Sequence, residues 1–158
     1  MKKRFVINLT AIILSICFCA RLCAQQQTAS VGSADTTRNQ SGGFITGGQS
    51  SVSRLPRVAE INCGVSTVSF GPGARTIWHS HAGGQVIVVT KGTAWYQEKG
   101  KPKQILRQGE AIIAPPGAMH WHGAPPDSAM VHTVATPNLD KGGVTSGLPV
   151  TNQEYLNP

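Results

Sequence analysis

This chain is poor in cysteine, has no apolar run long enough to span a bilayer, and shows no helix-period segment of ten or more residues beyond residue 24. Three of its four cysteines, Cys17, Cys19 and Cys23, fall in the first 24 residues. Without those residues Cys63 stands alone, so no intramolecular disulfide can form, and Cys63 reads as a small buried strand residue. The apolar run from Phe5 to Ala20 is interrupted by Asn8, Thr10 and Ser15. It is shorter than the ~20 residues a membrane span needs. Preceded by Met-Lys-Lys-Arg and followed by Ala24-Gln25, it reads as a secretory signal peptide over residues 1–24. An uncleaved N-terminal anchor is the competing reading. The cysteines lack small residues before them (Ile16, Phe18 and Leu22 stand there), which excludes a lipoprotein. The expected product is exported, periplasmic or secreted, with no stable membrane insertion after cleavage.

Acidic residues are also few, yet this does not mark a nucleic-acid partner. The formal charge of +7 includes Lys2, Lys3, Arg4 and Arg21, and falls to +3 without those four. Lys99, Lys101 and Lys103 cluster in one predicted turn with no interleaved aromatics, which describes a solvated hairpin tip.

What is present after residue 24 suits one domain. Residues 25–53 are dominated by Gln, Ser, Thr, Gly and Asn, too polar to offset their ordering entropy, and read as a flexible leader. Phe44-Ile45-Thr46 is the one place there for a short edge strand. From Arg54 onward, short alternating segments are punctuated by Gly and Pro every six to ten residues: 62–70, 74–81, 85–90, 93–98, 104–106, 111–114, 119–123 and 129–135. Many short strands at this spacing mean a sandwich or a barrel, and a closed barrel can hold one small ligand. The expected domain spans 54–140, with a C-terminal extension over 141–158.

All five histidines lie between Trp78 and Thr133. His79 and His81 are two apart on one predicted strand and so share a face. His120 and His122 repeat the pattern on another strand, and Gln85 opens the strand between. A surface pair of hydrogen-bonded histidines is the plain reading of one His-x-His. Inward-facing histidines from two strands plus a carboxamide instead make a ligand set suited to divalent Mn, Fe, Co, Ni or Zn.

These residues resemble the cupin family. Its first motif, Gly-x5-His-x-His-x3/4-Glu-x6-Gly, is met by Gly73, His79, His81, Gln85 and Gly92, with Gln for Glu. Its second, Gly-x5-Pro-x-Gly-x2-His-x3-Asn, is met by Gly109, Pro115, Gly117 and His120, with Ala124 for Asn. The resemblance implies an all-β fold, a double-stranded β-helix (jelly-roll) barrel, with a metal held by His79, His81, Gln85 and His120. The stretches 72–76, 78–81, 120–124 and 129–132 are similar to single-domain bacterial cupins that include manganese-dependent (R)-selective hydroxynitrile lyases. That likeness puts Mn first among the metals and implies Lewis-acid chemistry on a small hydroxyl or carbonyl substrate. His132 would be the general acid or base, or else a packed core residue. His122 would contact substrate, or else orient His120. Thr76 and Arg75 would line the entrance. Thr136 stands where the lyase-like cupins tend to carry Gln. A dioxygenase using Fe or Ni, and a non-catalytic binding cupin, use the same ligands. Edge strands and family habit favour a homo-oligomer.

Overall fold

The structure is a computed structural model and describes residues 35–36, 43–58 and 60–157. Residues 1–24, expected to be a signal peptide, lie outside these residues. Among the described residues, thirteen strands carry the fold, in two antiparallel sheets.

The first sheet runs in the order β1 (Asp35–Thr36), β3 (Ser50–Arg54), β4 (Cys63–Phe70), β12 (Met130–Pro137), β7 (Gln85–Lys91), β10 (Ala111–Ala114). In the second, β11 (His120–Gly123) pairs on one side with β8 (Thr93–Glu98) and on the other with β5 (Arg75–Thr76) and β6 (His79–His81). β9 (Gln104–Arg107) extends this sheet beyond β8, while β2 (Ile45–Thr46) and β13 (Val144–Ser146) pair with β5 and β6.

Alternation explains the inner faces. In β7, Ile87 and Val89 are buried while Val88 is exposed. In β12, Met130, His132 and Val134 are buried at every second position. Register then stacks these residues into cross-strand rows, of which Val52, Val68, His132 and Val89 make one. Phe70, Ile87, Val89, Tyr96 and Met130 belong to the core these rows build, each at 1 % exposure or less. Each such apolar side chain contributes about 1.5–3 kcal/mol by leaving water.

Three expectations need correction. The leader does not extend to residue 53. Ile45 and Val52 are isolated apolar residues in a polar stretch, yet both are buried in the core, and their strands pair with β5 and β4. The segment 74–81 is not one strand. It breaks at Ile77 and Trp78, whose N–H groups donate to Phe44 O (2.8 Å) and Leu148 O (3.0 Å) rather than to the β11 ladder. Cys63 is only half-buried.

The C-terminal extension packs back on the sheet. Beyond β13, the helix α1 (Asn152–Leu156) is capped by Thr151, whose Oγ accepts from Glu154 N–H while Glu154 Oε2 accepts from Thr151 N–H. Five residues do not make a helix stable by themselves. Tyr155 anchors it, buried against Trp121 and Trp95, with its hydroxyl donating to Ala124 O at 2.6 Å.

Candidate metal centre

Two glycine turns bring the histidine strands together. Gly84, at φ +82°, closes the turn between β6 and β7 with its N–H on His81 O (3.1 Å). Gly117, at φ +74°, lies before β11 and donates to the same carbonyl at 2.9 Å. A side chain is strained at such φ values, so these positions suit glycine. His120 is then opposite His79 in register.

All seven residues singled out from the sequence are buried: Thr76, His79, His81, Gln85, His120, His122 and His132. His79, His120 and His122 have ring nitrogens within 4.8 Å of one another. His81 is not in that trio, although its ring centroid is 5.2 Å from that of His79 and 5.9 Å from that of His120. Gln85 Oε1 lies 3.1 Å from His120 Nε2. The cluster thus draws in His122, which the sequence reading kept for substrate or support.

Hydrogen bonds set the tautomers. His79 Nδ1 is 2.9 Å from Ile77 O, and His120 Nδ1 is 2.8 Å from Ala118 O. A carbonyl only accepts, so both rings carry their proton on Nδ1 and turn an Nε2 lone pair to the cluster. His120 Nε2 and Gln85 Oε1 therefore present two lone pairs to each other. A cation between them, or an N–H from the carboxamide turned over, relieves that contact. His122 N–H donates to Thr76 Oγ1 at 3.1 Å, and His122 Nδ1 lies 3.1 Å from His132 Nε2.

Every ring is held neutral near pH 7. Burial, reinforced by the neighbouring His120, lowers the pKa of His79 to about 3 and that of His81 to about 4. Burial lowers His132 to about 4 and pulls His120 and His122 down as well. Neutral imidazole is the form that binds a metal. Both nitrogens of His81, together with His122 Nε2 and His132 Nδ1, are buried without a hydrogen-bond partner. Each such orphan costs about 1–3 kcal/mol. Several orphaned donors and acceptors beside the converging lone pairs of His79 and His120 fit a divalent ion and a polar ligand.

The cluster opens into a cavity of about 500 Å3, lined by His79, His81, Gln85, His122, His132 and Thr76 among others. That volume suits a small molecule. Arg75 is not at the entrance as expected. Thr76 faces the cavity, so its neighbour on β5 faces the other way. There Arg75 is buried over the Tyr155 ring (4.2 Å) and donates to Val150 O and Asn152 Oδ1. Sequence reasoning missed Tyr96, fully buried with its ring 5.5 Å from that of His120. Alternation in β8 puts Tyr96 on one face with Ala94, but its register opposite His122 comes from the pairing of β8 with β11.

Fold and site together define a cupin-type protein with three histidines placed to bind a metal. The chain belongs to the cupin family: the model of the cupin domain matches residues 66–135. It is 40 % identical over 90 residues to an (R)-mandelonitrile lyase of Granulicella tundricola, covering 57 % of this chain and 69 % of that protein. A cupin-like protein of Thermotoga maritima is 38 % identical, with a TM-score of 0.69 over 80 % of this chain and 94 % of that one. The polyketide cyclase RemF of Streptomyces resistomycificus shares the fold at 16 % identity, with a TM-score of 0.62 over 81 % of this chain and 90 % of its own.

Proposed function

We propose that the protein is an exported, metal-dependent lyase that breaks or makes a carbon–carbon bond beside a hydroxyl or carbonyl group, as in the cleavage of a cyanohydrin to an aldehyde and hydrogen cyanide. The observation that carries this reading is the convergence of His79, His120 and His122 with Gln85, of which all but His120 line a small-molecule cavity. The 40 % identity to a mandelonitrile lyase supports the choice of reaction. The export part rests on the N-terminal residues alone.

His79, His120 and Gln85, with His81 as the further ring, would hold a divalent ion, with Mn first among the candidates, and His122 is left for the proton. When bound, it supplies Lewis acidity toward the substrate oxygen. The chain's own residues manage the proton. His122 and His132, 3.1 Å apart, act as one acid–base unit that takes the hydroxyl proton as the carbon–carbon bond breaks. The proton then goes to the departing cyanide, so one proton is taken and one returned. The low pKa values of both rings ensure that the unit does not retain it. Thr76 holds the His122 backbone through its hydroxyl, which keeps its own proton free to donate into the cavity. Phe44, Val68 and Phe70 make the walls apolar and keep bulk water from the reacting atoms.

The test is to load the purified protein with Mn and follow benzaldehyde release from (R)-mandelonitrile. Release that disappears on chelation and returns with Mn is the expected result. Bound metal with no aldehyde release, together with oxygen uptake on a catechol, would replace the lyase by a dioxygenase.

A further inference from the structure

The lining of the cavity among the described residues includes Arg54 and Arg57 but neither Asp nor Glu. Register shows where Arg54 stands. The row Val52–Val68–His132 is followed on the same sheet face by the row Arg54–Ser66–Val134. Residues two apart on a strand share a face and lie ~7 Å apart. Arg54 therefore rises from the cavity wall one row along and two strands across from His132. Arg57 follows three residues on and lines the same cavity. Both arginines are exposed and mark its mouth, whereas the histidines are buried and mark its floor.

The ion pair recorded among the described residues, Lys101 with Glu98, involves neither arginine. The donors at the floor are imidazoles and one carboxamide, all neutral, so a divalent ion there would keep its full charge. Asp35 lies opposite Arg54 in the β1–β3 ladder, which is a reason to test the two arginines separately as well as together.

We propose that the substrate is a small organic anion: an apolar-bodied carboxylate whose acid group meets Arg54 and Arg57 at the mouth while its hydroxyl or carbonyl oxygen faces the histidines. This rests on reading the histidine cluster as the reacting end of the cavity. One row of ~7 Å along the strands and two strand spacings of ~4.8 Å across them put the backbones of Arg54 and His132 on the order of 12 Å apart, which leaves room for a small aromatic ring between the two side chains. Apolar side chains between the two ends, Val52, Val68 and Val134, suit such a ring.

The probe is 4-formylbenzoate, compared with its neutral methyl ester. Both are titrated calorimetrically into wild type, Arg54→Gln, Arg57→Gln and the double variant, each with Mn and after EDTA treatment. Wild type is expected to bind the anion about fivefold or more tightly than the ester at low salt. The double substitution removes that advantage, one single substitution removes most of it, and about 0.5 M salt shrinks it. The arginine-dependent preference is expected after EDTA as well, so loss of the metal does not imitate failure of the proposal. Equal affinities for anion and ester in wild type overturn it. So does an anion preference that survives the double substitution with Mn bound, because the ion alone would then account for it. The histidine reading fails by a different sign: His79→Ala and His120→Ala that keep wild-type metal content.

Discussion

His122 Nδ1 and His132 Nε2 lie 3.1 Å apart, both buried, with one proton between them. Whichever ring donates, the other must accept, so the two titrate as a pair. His132 is outside the metal-binding trio, which separates its role from that of the ion. For His132→Ala we expect metal content close to wild type and a fall in lyase turnover of about a hundredfold or more. Metal analysis alongside steady-state kinetics checks it. Unchanged turnover would make His132 a packing residue.

Much of this pair was legible before the fold was known. Alternation in 129–135 places His132 on the inner face with Val134, and His120-Trp121-His122 repeats the pattern of His79-Ser80-His81. Strands bounded by strong turn signals, such as 93–98 and 111–114, match the observed elements. What the sequence hid has a common physical cause. β3 and β13 are short, polar or exposed segments whose order comes from pairing with distant strands, not from local pattern, whereas β2 lies within the edge strand expected at Phe44-Ile45-Thr46. Arg75 and Tyr155 are 80 positions apart and meet only because the C-terminal segment folds back. No local periodicity encodes such a contact. Likewise, the approach of His122 to His79 and His120 comes from side-chain orientation, which spacing along a strand does not specify.

Gln85→Glu tests the charge of the donor set. Restoring a carboxylate beside His120 adds a hard anionic ligand. Affinity for Mn should rise by about an order of magnitude, while Lewis acidity toward the substrate oxygen falls. Metal titration by electron paramagnetic resonance, paired with turnover at saturating Mn, reads both. A weaker hold on Mn in this variant contradicts the placement of Gln85 at the ion.

Acid should unfold the metal-free protein early. Burial lowers His79 to about 3 and His132 to about 4, against 6.5 in an unfolded chain. Between those values the unfolded chain binds more protons than the folded one, so stability falls as pH drops through that window. It is constant with respect to these groups above about pH 6.5. Each ring contributes a slope of up to about 1.4 kcal/mol per pH unit. Urea unfolding of EDTA-treated protein at pH 7.5, 6 and 5 measures this. A flat profile would mean that the rings are not buried as described.

Tyr155 ties the C-terminal helix to the back of β11. Its ring packs on Trp121 and Arg75, and its hydroxyl holds Ala124 O. Tyr155→Ala should cost about 3–5 kcal/mol, as for other buried aromatics. Tyr155→Phe should cost about 1 kcal/mol, by leaving the carbonyl without its donor. Equal midpoints in denaturant for wild type and Tyr155→Ala would show that the helix does not support the sheet.

The central claim is the convergence of histidines from separate strands on one ion, and anomalous diffraction at the Mn edge from Mn-soaked crystals tests it most directly. The account predicts one peak per chain within about 2.0–2.3 Å of His79 Nε2 and His120 Nε2, with Gln85 and His81 completing the set. A peak elsewhere, or none at these nitrogens while the crystals contain Mn, would contradict it.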